Sequence, residues 1–195
     1  MALKHWKTIS TRTAAKNPWW EYRIDEFELP SGKRGEYHYV HSGGNVALVP
    51  YFEESGKFLL QKQYRYLFKK ESLEFPAGWV PLGGDPEKMA HNELIEETGY
   101  DGDLYLVGKF KPVYGLFDGE YFVFLAKNLR RSDARKKEDT EEFEKYLLTA
   151  SEIDEKVFGG QIDESNMVAA WVFAKRYLKK TSNRNYAIAV DARQR

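Results

Sequence analysis

No cysteine occurs in the 195 residues, which excludes disulfides, zinc–thiolate centres and thiol nucleophiles together. Neither sign of charge is in excess: Lys plus Arg and Asp plus Glu number 30 each, so the net charge is zero. Non-specific binding to a polyanion needs a basic surplus, so nucleic acid is not an expected partner. No stretch approaches the roughly 18 apolar residues of a membrane-spanning helix. The first ten residues carry Lys4, His5, Trp6 and Lys7 and no apolar run, unlike a signal peptide. The expected setting is the cytoplasm, with no membrane partner. Internal repeats and low-complexity segments are also lacking.

Aromatic side chains are abundant, with 13 Tyr, 12 Phe and 5 Trp in a composition that is 42% hydrophobic. That composition belongs to a folded globular chain the size of one domain with a small appendage. Residues 19–41 alternate aromatic and polar side chains through Trp20, Tyr22, Ile24, then Phe27 and Leu29, then Tyr37 and Tyr39. With Pro30-Ser31-Gly32 between the runs, the pattern predicts a β-hairpin and a bulge near Glu26, where the alternation slips. His41–Asn45 reads as the hinge into the main domain. Val46–Phe52 and Lys57–Tyr66, split by Glu53-Glu54-Ser55-Gly56, form a second strand–turn–strand unit. Short strands follow at Leu73–Phe75, Leu104–Phe110, Tyr121–Ala126 and Tyr146–Leu148. The clearest helix is Asp85–Thr98, with Asp85 as N-cap, Pro86 at its first position and Gly99 as its stop. Arg130–Glu142 reads as a charged loop, Ser151–Phe158 and Ser165–Leu178 as helices, and the residues from Thr181 as a tail. The expected fold class is α+β: a mixed sheet flanked by helices, with an N-terminal antiparallel β region.

Glu93, Glu96 and Glu97 stand at i, i+3 and i+4 on the predicted helix. At about 100° per residue they fall within one arc and make one acidic face. Like charges four apart cost roughly 0.2–0.5 kcal/mol, and the C-terminal half of a helix disfavours anions. Two readings fit the triplet by itself. One is a site for a hard cation such as magnesium, which prefers carboxylate oxygens; the other is a solvated acidic face.

The flanking residues separate the two. From Gly78 to Tyr100 the chain resembles the Nudix box: Gly, five residues, Glu, seven residues, Arg-Glu, an aliphatic, any residue, Glu-Glu, any residue, Gly, an aliphatic. Gly78, Glu93, Leu94, Glu96, Glu97 and Gly99 match in register, and Tyr100 is an apolar substitute at the last position. The pattern's first Glu is Gly84 here and its Arg is Asn92. Because both members of that bracing ion pair differ, neither charge is left stranded. Trp19-Trp20, Leu29-Pro30-Ser31-Gly32, Leu59–Tyr66, Leu73-Glu74-Phe75-Pro76-Ala77-Gly78 and Gly159-Gly160-Gln161-Ile162-Asp163 extend the resemblance to the ADP-ribose pyrophosphatase branch.

That resemblance implies a Nudix-type α/β/α sandwich with an N-terminal β region at 1–42, a hydrolase domain at 43–182 and a tail at 183–195. It implies Mg2+, or Mn2+ in its place, held by Glu93, Glu97 and the Ala77 carbonyl, with Glu96 as a further ligand. Arg65 and Glu74 would bind substrate. Glu97 and a loop acid would serve catalysis, Glu141 being the choice within Glu138–Glu142. Trp20 and Tyr39 are candidates to stack on a nucleobase, with core packing as the alternative for each. Gly115–Glu120 stands where the branch carries a Ser-Pro-Gly segment that selects substrates. The implied reaction is hydrolysis of a nucleoside diphosphate sugar such as ADP-ribose. A GDP-sugar or dinucleoside polyphosphate hydrolase and a non-catalytic ADP-ribose sensor are the alternatives. The aromatic hairpin is too small to hide its own rings, which points to a homodimer.

Overall fold

The computed structural model describes residues 3–133 and 143–193, with side chains through residue 181. Its N-terminal region is a three-stranded antiparallel sheet of β1 (Lys7–Lys16), β2 (Glu21–Glu28) and β3 (Arg34–His41), in that order. The sequence pattern predicted only β2 and β3. All ten residues of β1 are exposed, and Ile9 is its one large apolar residue, so it carries no alternation to read.

The bulge expected near Glu26 is absent from the hairpin, where β2 and β3 pair without a break from Glu21↔His41 to Glu28↔Arg34. The phase of the aromatics changes because both faces of this sheet are used. Ile24 is buried on one face, whereas Phe27 stacks on Trp6 at 4.5 Å on the other. The irregularities belong to β1, between Thr8 and Ser10 and between Thr13 and Ala15.

The main sheet runs β10 (Glu144–Thr149), β5 (Lys57–Arg65), β4 (Asn45–Phe52), β9 (Tyr121–Arg131), β8 (Tyr100–Phe110). Strand β6 (Lys70–Glu74) pairs with β5, and β7 (Ala77–Trp79) with β4. The β4–β9 pair is parallel and its neighbours are antiparallel, so the sheet is mixed. Strand β4 is apolar at successive positions because both of its faces are covered. Alternate side chains point to opposite faces. Ala47 and Val49 join Val123, Leu125 and Trp171, whereas Val46 and Leu48 join Phe124, Ala90 and Leu94. Helices therefore cover both faces, giving the expected α/β/α sandwich.

Helix α2 (Ala150–Phe158) opens on a capping box between Thr149 and Glu152. Helix α3 runs unbroken from Ser165 to Arg193, across the point where a separate tail at 183–195 was expected. Strands β8 and β9 both outrun their expected lengths, and β9 takes up Arg130 and Arg131 from the expected loop. Among the described residues, no helix is long and apolar enough to cross a membrane.

Candidate active site

The acidic helix begins as its sequence dictates. The Asp85 carboxylate accepts the amide hydrogens of Glu87 and Lys88, and α1 spans Pro86–Glu93. It does not continue as an α-helix to Thr98. Leu94–Thr98 is a π-helical turn, closed by Gly99 in the left-handed conformation at φ 75°. A wider turn places the three glutamates differently from a 3.6-residue repeat. Glu93 is half-buried, Glu96 is exposed and Glu97 is 6% exposed. Among the described residues no three acidic or histidine side chains converge as a ready-made metal cluster. The single acidic face expected of an unbroken α-helix is thus divided.

Strand β7 fills the space between the first and last of these glutamates. The Ala77 amide donates to Glu97 Oε2 at 3.1 Å, and the fully buried Gln61 donates to the same oxygen from Nε2 at 2.9 Å. One residue on, Gly78 lies against the other carboxylate: a Cβ there would come within 2.0 Å of Glu93 Oε1. Two carboxylates therefore flank the Ala77–Gly78 backbone. This all-oxygen set, with the Ala77 carbonyl, fits a hard divalent cation.

Ala77 also lines a cleft of about 790 Å³, with Arg65, Glu74, Trp79, Tyr121 and Glu164 among its walls. Glu74 is 1% exposed and takes both Nε and Nη2 of Arg65, plus Gln63 Nε2 at 3.2 Å. This pairing holds the Arg65 guanidinium above its ordinary pKa. Burial raises the Glu164 carboxyl above its usual range, against the amide hydrogens of Asn166 and Met167, which lower it. Burial, reinforced by Glu164, pushes the Tyr121 phenol up to about 12.

The structure thus brings Arg65, Glu74 and Ala77 to one cleft, with Glu93 and Glu97 behind Ala77 and Gly78. Trp20 and Tyr39 are not on its walls. The Tyr39 hydroxyl donates to Asp25 at 3.3 Å within the N-terminal sheet. Glu141, with the acidic run around it, lies outside the described residues. Gln61, Trp79, Tyr121 and Glu164 were not foreseen. Gln61 carries no local sign, because alternation puts it on the strand face of Lys57, Gln63 and Arg65, opposite the core residues Phe58 and Leu60.

Residues 42–170 match the NUDIX domain, and residues 6–40 match the nucleoside diphosphate sugar hydrolase N-terminal domain. The chain belongs to the Nudix hydrolase family. It is 32% identical over 143 residues to an ADP-ribose pyrophosphatase of Bacillus subtilis, covering 70% of this chain and 77% of that one. It is 30% identical over 166 residues to the methanol dehydrogenase activator of Bacillus methanolicus, covering 84% and 89%. A crystal structure of an ADP compounds hydrolase shares the fold with a TM-score of 0.79, at 18% identity, over 93% of this chain and 98% of that one. Nudix hydrolases generally use a divalent metal, in keeping with the oxygen donors around Ala77.

Two departures of this Nudix chain now have a structural account. The Gly84 amide donates to Pro81 O at 2.8 Å, closing a turn. A Cβ at 84 would meet that same oxygen at 2.9 Å, so a glutamate there requires the turn to shift. Asn92 is exposed on α1. A backbone turn and the Asp85 cap hold this loop in place of the family's ion pair. The segment Gly115–Glu120 is tied to the N-terminal sheet: Gly115 O accepts from the Tyr37 hydroxyl at 3.1 Å, and Asp118 pairs with His41 at 2.6 Å.

Arg65→Ala leaves the buried Glu74 carboxylate with Gln63 as its remaining side-chain donor among the described residues. Stranding a buried charge costs about 3 kcal/mol or more. The double change Arg65→Met with Glu74→Leu should recover most of that loss. Urea unfolding of Arg65→Met, Glu74→Leu and the double variant checks this, and additive losses would count against a coupled pair.

Proposed function

We propose that this Nudix hydrolase splits the diphosphate of a nucleoside diphosphate sugar such as ADP-ribose, yielding a nucleoside monophosphate and a sugar phosphate. The observation that carries the reading is the pair of glutamates, Glu93 and Glu97, on either side of the Ala77–Gly78 backbone at the edge of a large cleft. The activity named for the Bacillus subtilis relative supports the substrate class.

Glu93, Glu97 and the Ala77 carbonyl would hold Mg2+, or Mn2+ in its place, with Glu96 as a further ligand from its exposed position. Such an ion supplies charge neutralisation of the diphosphate and lowers the pKa of water. In the cleft, Arg65 faces the phosphates and Glu74 fixes its guanidinium plane, leaving further N–H donors of that fork for the substrate. A water oxygen attacks one phosphorus, the bridging P–O bond breaks, and the proton passes to a carboxylate, assigned to Glu141. The reading includes a homodimer in which Trp20 or Tyr39 from a second copy caps the base. Exposed aromatics on the N-terminal segment, with Trp6 at 56% and Trp19 at 57%, support that arrangement. Light scattering of the full chain checks it, and a concentration-independent mass near 22.8 kDa overturns it.

Purified protein should release AMP and ribose phosphate from ADP-ribose with Mg2+ and lose that activity in chelator. GDP-sugars and dinucleoside polyphosphates belong in the same assay. Turnover of those alone reassigns the substrate. Binding of ADP-ribose with no hydrolysis of any diphosphate makes the protein a sensor.

A further inference from the structure

Gln61 is fully buried in β5, and its amide is only half satisfied. Nε2 donates to Glu97 Oε2 at 2.9 Å, whereas Oε1 is buried without a hydrogen-bond partner among the described residues. A buried acceptor left unpaired costs free energy that an apolar side chain of the same length would not incur. The geometry also limits what can pair with it. The Nε2 bond fixes the amide beside the Glu97 carboxylate, so Oε1 of the same group lies at the acidic end of the helix. A donor at that place has to sit next to anionic oxygens, which describes water in the hydration shell of a cation. Magnesium dehydrates reluctantly and keeps several waters when protein carboxylates bind it.

We propose that Gln61 is a positioning residue of the metal site, its Nε2–H holding Glu97 and its Oε1 accepting a hydrogen bond from a water of the hydrated divalent ion. The inference rests on the proposed reading of Glu93 and Glu97 as metal ligands. It assigns to a strand of the sheet, 36 residues before Glu97, the outer half of a site otherwise built from helix and loop. Groups behind metal ligands typically alter metal affinity 10- to 100-fold.

The test is Mn2+ binding to the full chain without substrate, with free Mn2+ read by electron paramagnetic resonance. Gln61→Met and Gln61→Leu remove both hydrogen-bonding atoms at little change in volume. Either variant should bind Mn2+ about 10- to 100-fold more weakly than wild type. Its circular dichroism should be unchanged, and its Tm in chelator should fall by only a few degrees, because Glu97 keeps the Ala77 amide as a donor. Wild-type affinity in a folded variant overturns the inference alone and leaves Oε1 to an ordinary internal water. No Mn2+ binding by wild type overturns the metal-site reading itself. If neither variant folds, the side-chain amide resonances of Gln61 in the wild-type chain decide. They should shift in step with Mg2+ occupancy, and resonances that stay fixed sink the proposal.

Discussion

Glu97→Gln is expected to reduce Mg2+-dependent diphosphate hydrolysis at least about 100-fold, or roughly 2.7 kcal/mol of barrier. The substitution changes charge with almost no change in shape. Glu97 is 6% exposed and accepts two N–H groups, from Gln61 and Ala77, on one oxygen. A glutamine oxygen can accept both bonds, so the packing around β5 and β7 should survive. What is lost is the negative charge that a divalent ion requires. Steady-state kinetics across a Mg2+ titration, beside a thermal melt in chelator, separates the two effects. A rate within a few-fold of wild type at ordinary Mg2+ would move the metal away from this residue.

Gly78→Ala should have an effect of similar size for a different reason. Its added methyl group would fall 2.0 Å from Glu93 Oε1 and 2.3 Å from Cδ. Something has to move, and the backbone of β7 is the less free of the two. Gly78 is paired with Val46 in β4, and the preceding amide is bound to Glu97. The Glu93 side chain therefore swings aside. Displacing a functional group by about 1 Å can cost on the order of 100-fold in rate. The fold should lose little, because the clash is relieved at the end of a flexible side chain. The expected outcome is a kcat/KM lower by about 100-fold and a Tm changed by only a few degrees. Full activity in this variant would remove Glu93 from the metal site. A collapse of Tm would show that Gly78 serves the sheet first.

Both effects act on contacts between segments distant in the chain, and there sequence reading reached its limit. It read the beginning of α1 from Asp85 and Pro86, and from Gly99 the stop of the π-helical turn that follows, because caps act within one turn of backbone. The five buried residues of β4, Val46–Pro50, read as a strand because an apolar run of that length suits a doubly covered strand. Strand β1 passed unread because its exposed Thr- and Lys-rich sequence is specified by pairing with β2, not by burial. The π-helical turn passed unread for a related reason. A helical repeat is assumed at 3.6 residues, and nothing local marks where the chain departs from it to bring Glu97 to Gln61 and Ala77.

The sequence by itself determined the family, the mixed α/β/α architecture, and the identities of Glu93, Glu96 and Glu97 as the acidic group at the end of α1. The mixed sheet flanked by helices and the acidic group follow from local periodicity and caps, whereas the family and its α/β/α layering follow from the resemblance carried by the fixed spacing from Gly78 to Gly99. Only the tertiary structure decided that Glu97 is buried and Glu96 exposed, and that Arg65 is clamped by Glu74. Only the tertiary structure brought Gln61 to Glu97 and put Glu164 and Arg65 on the walls of one cleft. Each of these depends on sheet register and on how far one side chain leaves another from water. Neither quantity exists until β5, β7 and the acidic helix have packed together.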